Sequence, residues 1–88
     1  MSKKIITITL DPEKDIAKVP AGAIPRGVVA EGDNIKAIYE VEELAPLKAV
    51  EFLYPETDVP VDLDGFQFVG ATTFRDGEVV VSVYSREM

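Results

Sequence analysis

An all-β fold is predicted for this chain: a compact, mainly antiparallel sandwich or partly open barrel of about six strands. Three observations predict it. Apolar and polar residues alternate along most of the length, the period-two pattern of half-buried strands. Gly- and Pro-bearing turn segments interrupt that pattern at short intervals. The one helix candidate, residues 42–47, is held by Pro46 to about one turn. The 88 residues make a single domain with a core one layer thick.

The elements follow in order. Lys4 to Leu10 alternates, with Ile6, Ile8 and Leu10 on one side and Thr7 and Thr9 on the other, and Asp11-Pro12 ends the strand. Asp15 to Val19 is a short extended piece that runs into a turn over Pro20-Ala21-Gly22-Ala23. Pro25 lacks a backbone donor, so the strand from Ile24 to Ala30 is expected to begin at a sheet edge or a bulge. Glu31-Gly32-Asp33-Asn34 is hairpin punctuation. It leads into a strand with Ile35, Ala37, Tyr39 and Val41 on one face and Lys36, Glu40 and Glu42 on the other. Lys48 to Tyr54 alternates again, with Val50, Phe52 and Tyr54 together. Residues 55–65 hold two prolines and four acids and form the longest irregular stretch.

The last hairpin carries the clearest local signal. Phe66 to Arg75 and Glu78 to Ser85 flank Asp76-Gly77, a two-residue type I′ turn. That turn sets Arg75 opposite Glu78, Phe74 opposite Val79, Thr72 opposite Val81 and Gly70 opposite Val83. The expected core face is then Phe66, Phe68, Phe74, Val79, Val81 and Val83. Gly70 inside a strand signals a bulge or the close approach of another layer.

Charge is distributed unevenly. The formal net charge is −7, made of +1 over residues 1–36 and −8 over residues 37–88. No base lies between Lys48 and Arg75, where Glu51, Glu56, Asp58, Asp62 and Asp64 accumulate. A nucleic-acid binder needs a basic stripe to displace counterions, so neither nucleic acid nor an anionic membrane is an expected partner. The acidity keeps the chain soluble, and it also suits a surface that steers a basic protein. Lys3 and Lys4 precede an apolar stretch too short and polar for a signal core, so a cytosolic location is expected.

Catalytic chemistry finds little to stand on. The chain has no Cys, His or Trp. Thiolate and imidazole metal sites, a Ser-His-Asp or Cys-His nucleophile and a histidine acid–base are therefore ruled out. Asp58, Asp62 and Asp64 before Gly65 look like part of a calcium loop. The required spacing, however, puts Pro60 first and Ala71 twelfth, where acidic ligands belong. No glycine-rich phosphate loop is present. No cofactor, metal or catalytic residue is assigned. The acidic loop Glu56, Asp58, Asp62 and Asp64 is read either as a solvated crossover or as an interaction loop.

Several stretches resemble a pattern in a family of small uncharacterised β-rich proteins of tailed bacteriophages and their hosts. They are Val19-Pro20-Ala21-Gly22-Ala23-Ile24, Ile38-Tyr39, Val59-Pro60, Phe68-Val69-Gly70-Ala71-Thr72, and Gly77 through Tyr84. The chain departs from that family where Tyr54-Pro55-Glu56-Thr57 and Ser82 stand in place of its frequent histidines, so no role of those histidines carries over. The resemblance implies a viral source and a small accessory role, with no activity to transfer.

Function is accordingly expected to be non-enzymatic: a phage-encoded interaction module that binds a host or phage protein in the host cytoplasm. A virion accessory, such as a capsid decoration protein, is the alternative, and a small-molecule or nucleotide sponge using Arg26, Lys36 and Lys48 is a third. The last hairpin is apolar on both sides. Its second face, with Val69, Ala71, Val80 and Tyr84, is joined by Leu53 from the strand at Lys48, and it is the expected interface. A homo-oligomer formed through it is expected, two-fold pairing being the commonest closed solution.

Overall fold

The computed structural model describes residues 2–11, 13–56, 58–74 and 77–88, with the Phe74 side chain set aside. Its strands are β1 (Lys3–Leu10), β2 (Ile16–Pro20), β3 (Ile24–Glu31), β4 (Asn34–Glu42), β5 (Leu47–Leu53), β6 (Gln67–Phe74) and β7 (Val79–Glu87). They form a three-stranded antiparallel sheet in the order β1-β4-β3 and a four-stranded one in the order β2-β5-β7-β6. The fold is all-β, two facing sheets rather than a closed barrel. The short piece before Pro20 is a full strand paired with β5, which brings the described strands to seven. Residues 42–47 contain no helix: Glu42 ends β4, Glu43 and Leu44 turn, and Leu47 opens β5.

Local chemistry sets the hairpins. Glu31 pairs with Asn34 across Gly32-Asp33. Gly32 has φ 60, the conformation that a type II′ turn demands of its first central residue. In the last hairpin the expected pairs Phe74↔Val79, Thr72↔Val81 and Gly70↔Val83 all form. Gly77 has the positive φ, 85, that its turn position needs. Arg75 and Asp76, and with them the turn type and the Arg75–Glu78 pair, lie outside the described residues.

The chain changes sheet at residues 11–15, 21–23 and 43–46, so each sheet is assembled from separated segments. The two sheets meet where β3 and β6, each an edge strand, lie against each other. Both strands are bulged there, β3 between Pro25 and Gly27 and β6 between Phe68 and Gly70. A bulge inserts one unpaired residue and reverses the alternation beyond it. Both readings of Gly70 therefore hold, for it sits at a bulge and at a close approach. A Cβ on Gly70 would lie 2.8 Å from the Val28 amide nitrogen and 3.0 Å from the Gly27 backbone.

The bulge in β6 corrects the predicted core. Phe68 faces outward, 57% exposed, and Val69 enters the core at 4%. Leu10, Ala37, Tyr39, Val41, Val50, Phe52 and Val83 follow the alternation read from the sequence, and Val19 and Val28, to which the sequence reading assigns no face, complete the core. Tyr39 of β4 crosses the interior and donates from its hydroxyl to Ser85 Oγ of β7 at 3.0 Å. Burial alone disfavours both hydroxyls, and the bond between them offsets that cost.

Two predictions follow from these contacts. Gly70→Ala sets a methyl against backbone that cannot swing aside, and urea denaturation is expected to show a loss of about 1–3 kcal/mol. Tyr39→Phe strands the Ser85 hydroxyl and is expected to cost about 1–2 kcal/mol. Adding Ser85→Ala to Tyr39→Phe should recover part of that loss in a double-mutant cycle.

Candidate protein-interaction surface

The outer face of the four-stranded sheet gathers most of the apolar residues predicted for an interface. Antiparallel pairing places Leu53 opposite Tyr84 and Tyr84 opposite Phe68, one row across β5, β7 and β6. The Phe68 and Tyr84 rings meet edge to face, with centroids 5.4 Å apart at 62°. This is the favoured geometry for two ring quadrupoles. In the next row Glu51 stands opposite Arg86, and Arg86 Nε donates to Glu51 Oε1 at 2.7 Å. The same guanidinium lies 4.4 Å from the centre of the Phe66 ring. Arg86 is thus held by a carboxylate and an aromatic face together.

Toward the β6–β7 turn, Ala71 pairs with Ser82 and Thr73 with Val80. Ala71 is exposed, and Val80 is 60% exposed. Of the residues expected at the interface, Leu53, Ala71, Val80 and Tyr84 share this face. Val69 does not, because its bulge turns it into the core. Phe68 takes the outward place instead. The sequence signal for this was Gly70, since a bulge at a strand glycine reverses the side chains before it.

The acidic loop borders this face. It leaves β5 after Leu53 and returns to β6 beside Arg86, where Gly65 lies near the side-chain stem and the Phe66 ring faces the guanidinium. Glu56, Asp58, Asp62 and Asp64 are all exposed. Asp62 Oδ1 accepts a bond from the Asp64 amide at 2.9 Å, and Asp58 sits at φ 65. Among the described residues no group of three or more acidic side chains is arranged to hold a metal ion.

A second feature lies at the opposite end of β1. A cleft of about 310 Å³ is lined by Thr9, Leu10, Asp11, Asp33, Asn34, Ile35 and Tyr54. The Tyr54 hydroxyl is buried without a hydrogen-bond partner among the described residues. Burial first, and then the charges of Asp15 and Asp11 and the neighbouring Tyr39, push this phenol up to about 12. It stays protonated at neutral pH and offers no base there. The bases weighed for a nucleotide are engaged elsewhere: Arg26 with Glu40 at 2.9 Å and Lys36 with Glu31 at 3.3 Å, while Lys48 is exposed.

Comparison with protein families, with curated proteins and with solved structures finds no match to this chain. The phage resemblance therefore rests on the quoted residues alone.

The raised phenol has a pH consequence. The folded state favours neutral Tyr54, so its contribution is fully present below the ordinary tyrosine value near 10. Between about pH 10 and 12 the unfolded chain gives up a proton that the folded chain keeps, and stability falls as pH rises. Tyr39, also raised by burial, adds in the same direction. Tyr54→Phe is expected to flatten the alkaline fall. At neutral pH it should leave stability unchanged or higher, because the hydroxyl it removes has no partner. Denaturant midpoints for both proteins at neutral and strongly alkaline pH check this.

Proposed function

We propose that this protein is a non-enzymatic interaction module that binds a basic protein partner through the outer face of its four-stranded sheet. The reading is carried by the row Leu53, Tyr84 and Phe68. It runs from the central strands β5 and β7 to an open aromatic ring, Phe68, on the edge strand β6, with Arg86 fixed in the neighbouring row. An exposed Phe beside a half-buried Tyr and a held Arg is the composition of a binding centre. The acidic loop at its border gives the partner its sign. A partner with Lys or Arg around an apolar centre matches the surface, whereas a second copy of this face would bring like charges together.

Resemblance to small phage proteins supports an accessory role in which the partner is a host or phage protein met in the host cytoplasm. With no Cys or His in the chain neither a thiolate nor an imidazole enters the face, and its Glu51 carboxylate is tied to Arg86.

The test is capture by immobilised protein from lysate of the host, with Phe68→Ser as the comparison. Phe68 is largely outside the core, so the variant folds. Capture is expected to weaken by at least about 30-fold in Phe68→Ser, the scale of a central aromatic anchor. It should also fall with rising salt. Ile5→Ser, on the outer face of the other sheet, should retain it. Equal capture by wild type and Phe68→Ser would reject the proposal.

A further inference from the structure

We propose that two copies of this chain join through β1, edge to edge and antiparallel, into one continuous six-stranded sheet. This goes beyond the outer-face reading and uses a different surface. β1 is the outer strand of its sheet, and among the described residues β4 is its only strand partner. The phase of its free edge follows from the β3–β4 hairpin. Glu31 and Asn34 flank a two-residue turn and therefore exchange both backbone bonds. Alternation along β4 then turns Ile35, Ala37, Tyr39 and Val41 toward β1, and their partners Leu10, Ile8, Ile6 and Lys4 toward β4. Lys3, Ile5, Thr7 and Thr9 are left with N–H and C=O groups pointing outward. Such an edge, eight residues long and without proline, is a template for another strand.

A second copy fits this template because the strand is self-complementary. With Thr7 on a two-fold axis, Ile5 meets Thr9 of the other copy on the outer side, and Lys3, which also reaches Glu40 of its own copy, comes opposite Asp11, the residue just past β1, whose Oδ1 accepts from the Glu13 amide. Thr7 pairs with its own copy. On the inner side Ile6 meets Ile8, both only half-buried at the open side of the two sheets. This register joins opposite charges at both ends of the paired strands. Centring on Ile5 instead leaves Lys3 opposite Thr7 and loses both ion pairs.

Overall charge points to the same place. Copies carrying −7 each repel, but the first ten residues hold two lysines and no acid. In the Thr7-centred register Lys3 and Lys4 of each copy lie at the Asp11 end of the other, so the lysines of the two copies are kept at opposite ends of the paired strands. The pairing uses the same edge on both copies, so it closes at two. The outer strand of the other sheet, β2, is five residues long and ends in Pro20, a poor template for further growth.

Sedimentation velocity from micromolar to submillimolar protein is expected to show the mass of two chains. Thr7→Pro removes an outward N–H without touching the bonds to β4, and should return the mass of one chain with a normal melting curve. Thr7→Cys covers the case in which proline disturbs the strand. The chain has no cysteine of its own. The new thiol would face its copy across the axis at about 5.5 Å between Cα atoms, within reach of a disulfide. Oxidation should give a linked dimer with Thr7→Cys, and should not do so at comparable rate with Glu78→Cys at the far hairpin. A one-chain mass throughout the range would overturn the proposal. Equal cross-linking of the two cysteine variants, or a folded Thr7→Pro that stays dimeric, would do so as well. A Phe68→Ser protein that still dimerises while losing its partner separates this edge from the binding face.

Discussion

The backbone of β6 at Gly70 rests on the backbone of β3 at Gly27 and Val28, and the rest of the molecule is arranged around that approach. Main chains come this close only where no Cβ intervenes, so a glycine stands at the contact. Each strand also carries a bulge there, which bends it and breaks its alternation. The seam brings the edge of one sheet onto the edge of the other, so the interior is closed on that side by backbone rather than by side chains. The opposite side, between β1 and β2, remains open. The same bulge that seats Val69 inside turns Phe68 outward, so packing within the core and the character of the outer surface come from one local irregularity.

Much of the fold was legible in the sequence because period-two patterning and turn chemistry are local. The register of the last hairpin follows from Asp76-Gly77, while the sequence marks the first only as a hairpin over Glu31–Asn34, and the structure narrows its turn to Gly32-Asp33. The buried face of β4 follows from Ile35, Ala37, Tyr39 and Val41. Pro25 pointed to an edge or a bulge, and β3 has both. What could not be read was the side on which each strand lies after a bulge. Phe66, Phe68 and Phe74 keep an unbroken alternation in the sequence, and only the pairing shows that it reverses at Val69. The assignment of Leu53, Ala71, Val80 and Tyr84 to one surface survived because they lie on strand segments whose phase is unbroken relative to β7. That of Val69 failed because it is the bulged residue itself. The partnership of β2 with β5 was hidden for another reason: no periodicity marks which sheet a strand enters.

The two outer faces differ in kind. On the three-stranded sheet, Glu40 of the central strand accepts from Arg26 at 2.9 Å and from Lys3 at 3.5 Å, and Lys36 reaches Glu31. These bonds, that of Arg26 foremost, hold the Glu40 carboxyl below its usual range. Exposed pairs of this type contribute little to stability and keep the face polar and well solvated. On the four-stranded sheet the ion pair of Glu51 and Arg86 joins the two central strands, and the aromatic row beside it runs from Tyr84 out to Phe68 on the edge strand β6, with the acidic loop beyond.

The interleaving of the two sheets also shapes how the chain reaches its native state. Two short hairpins, β3–β4 and β6–β7, close neighbours in sequence, but β1, β2 and β5 each pair with a strand remote from them along the chain. The Gly70 seam joins positions about forty residues apart. A topology weighted toward distant pairings incurs its loop-closure entropy before the contacts that offset it exist, and it folds in milliseconds to seconds rather than microseconds. Neither sheet is encoded by a contiguous stretch, so no fragment of the chain contains a complete layer. The domain consequently forms as one cooperative unit, in which the β1 edge and the aromatic row appear only together with the seam that organises both sheets.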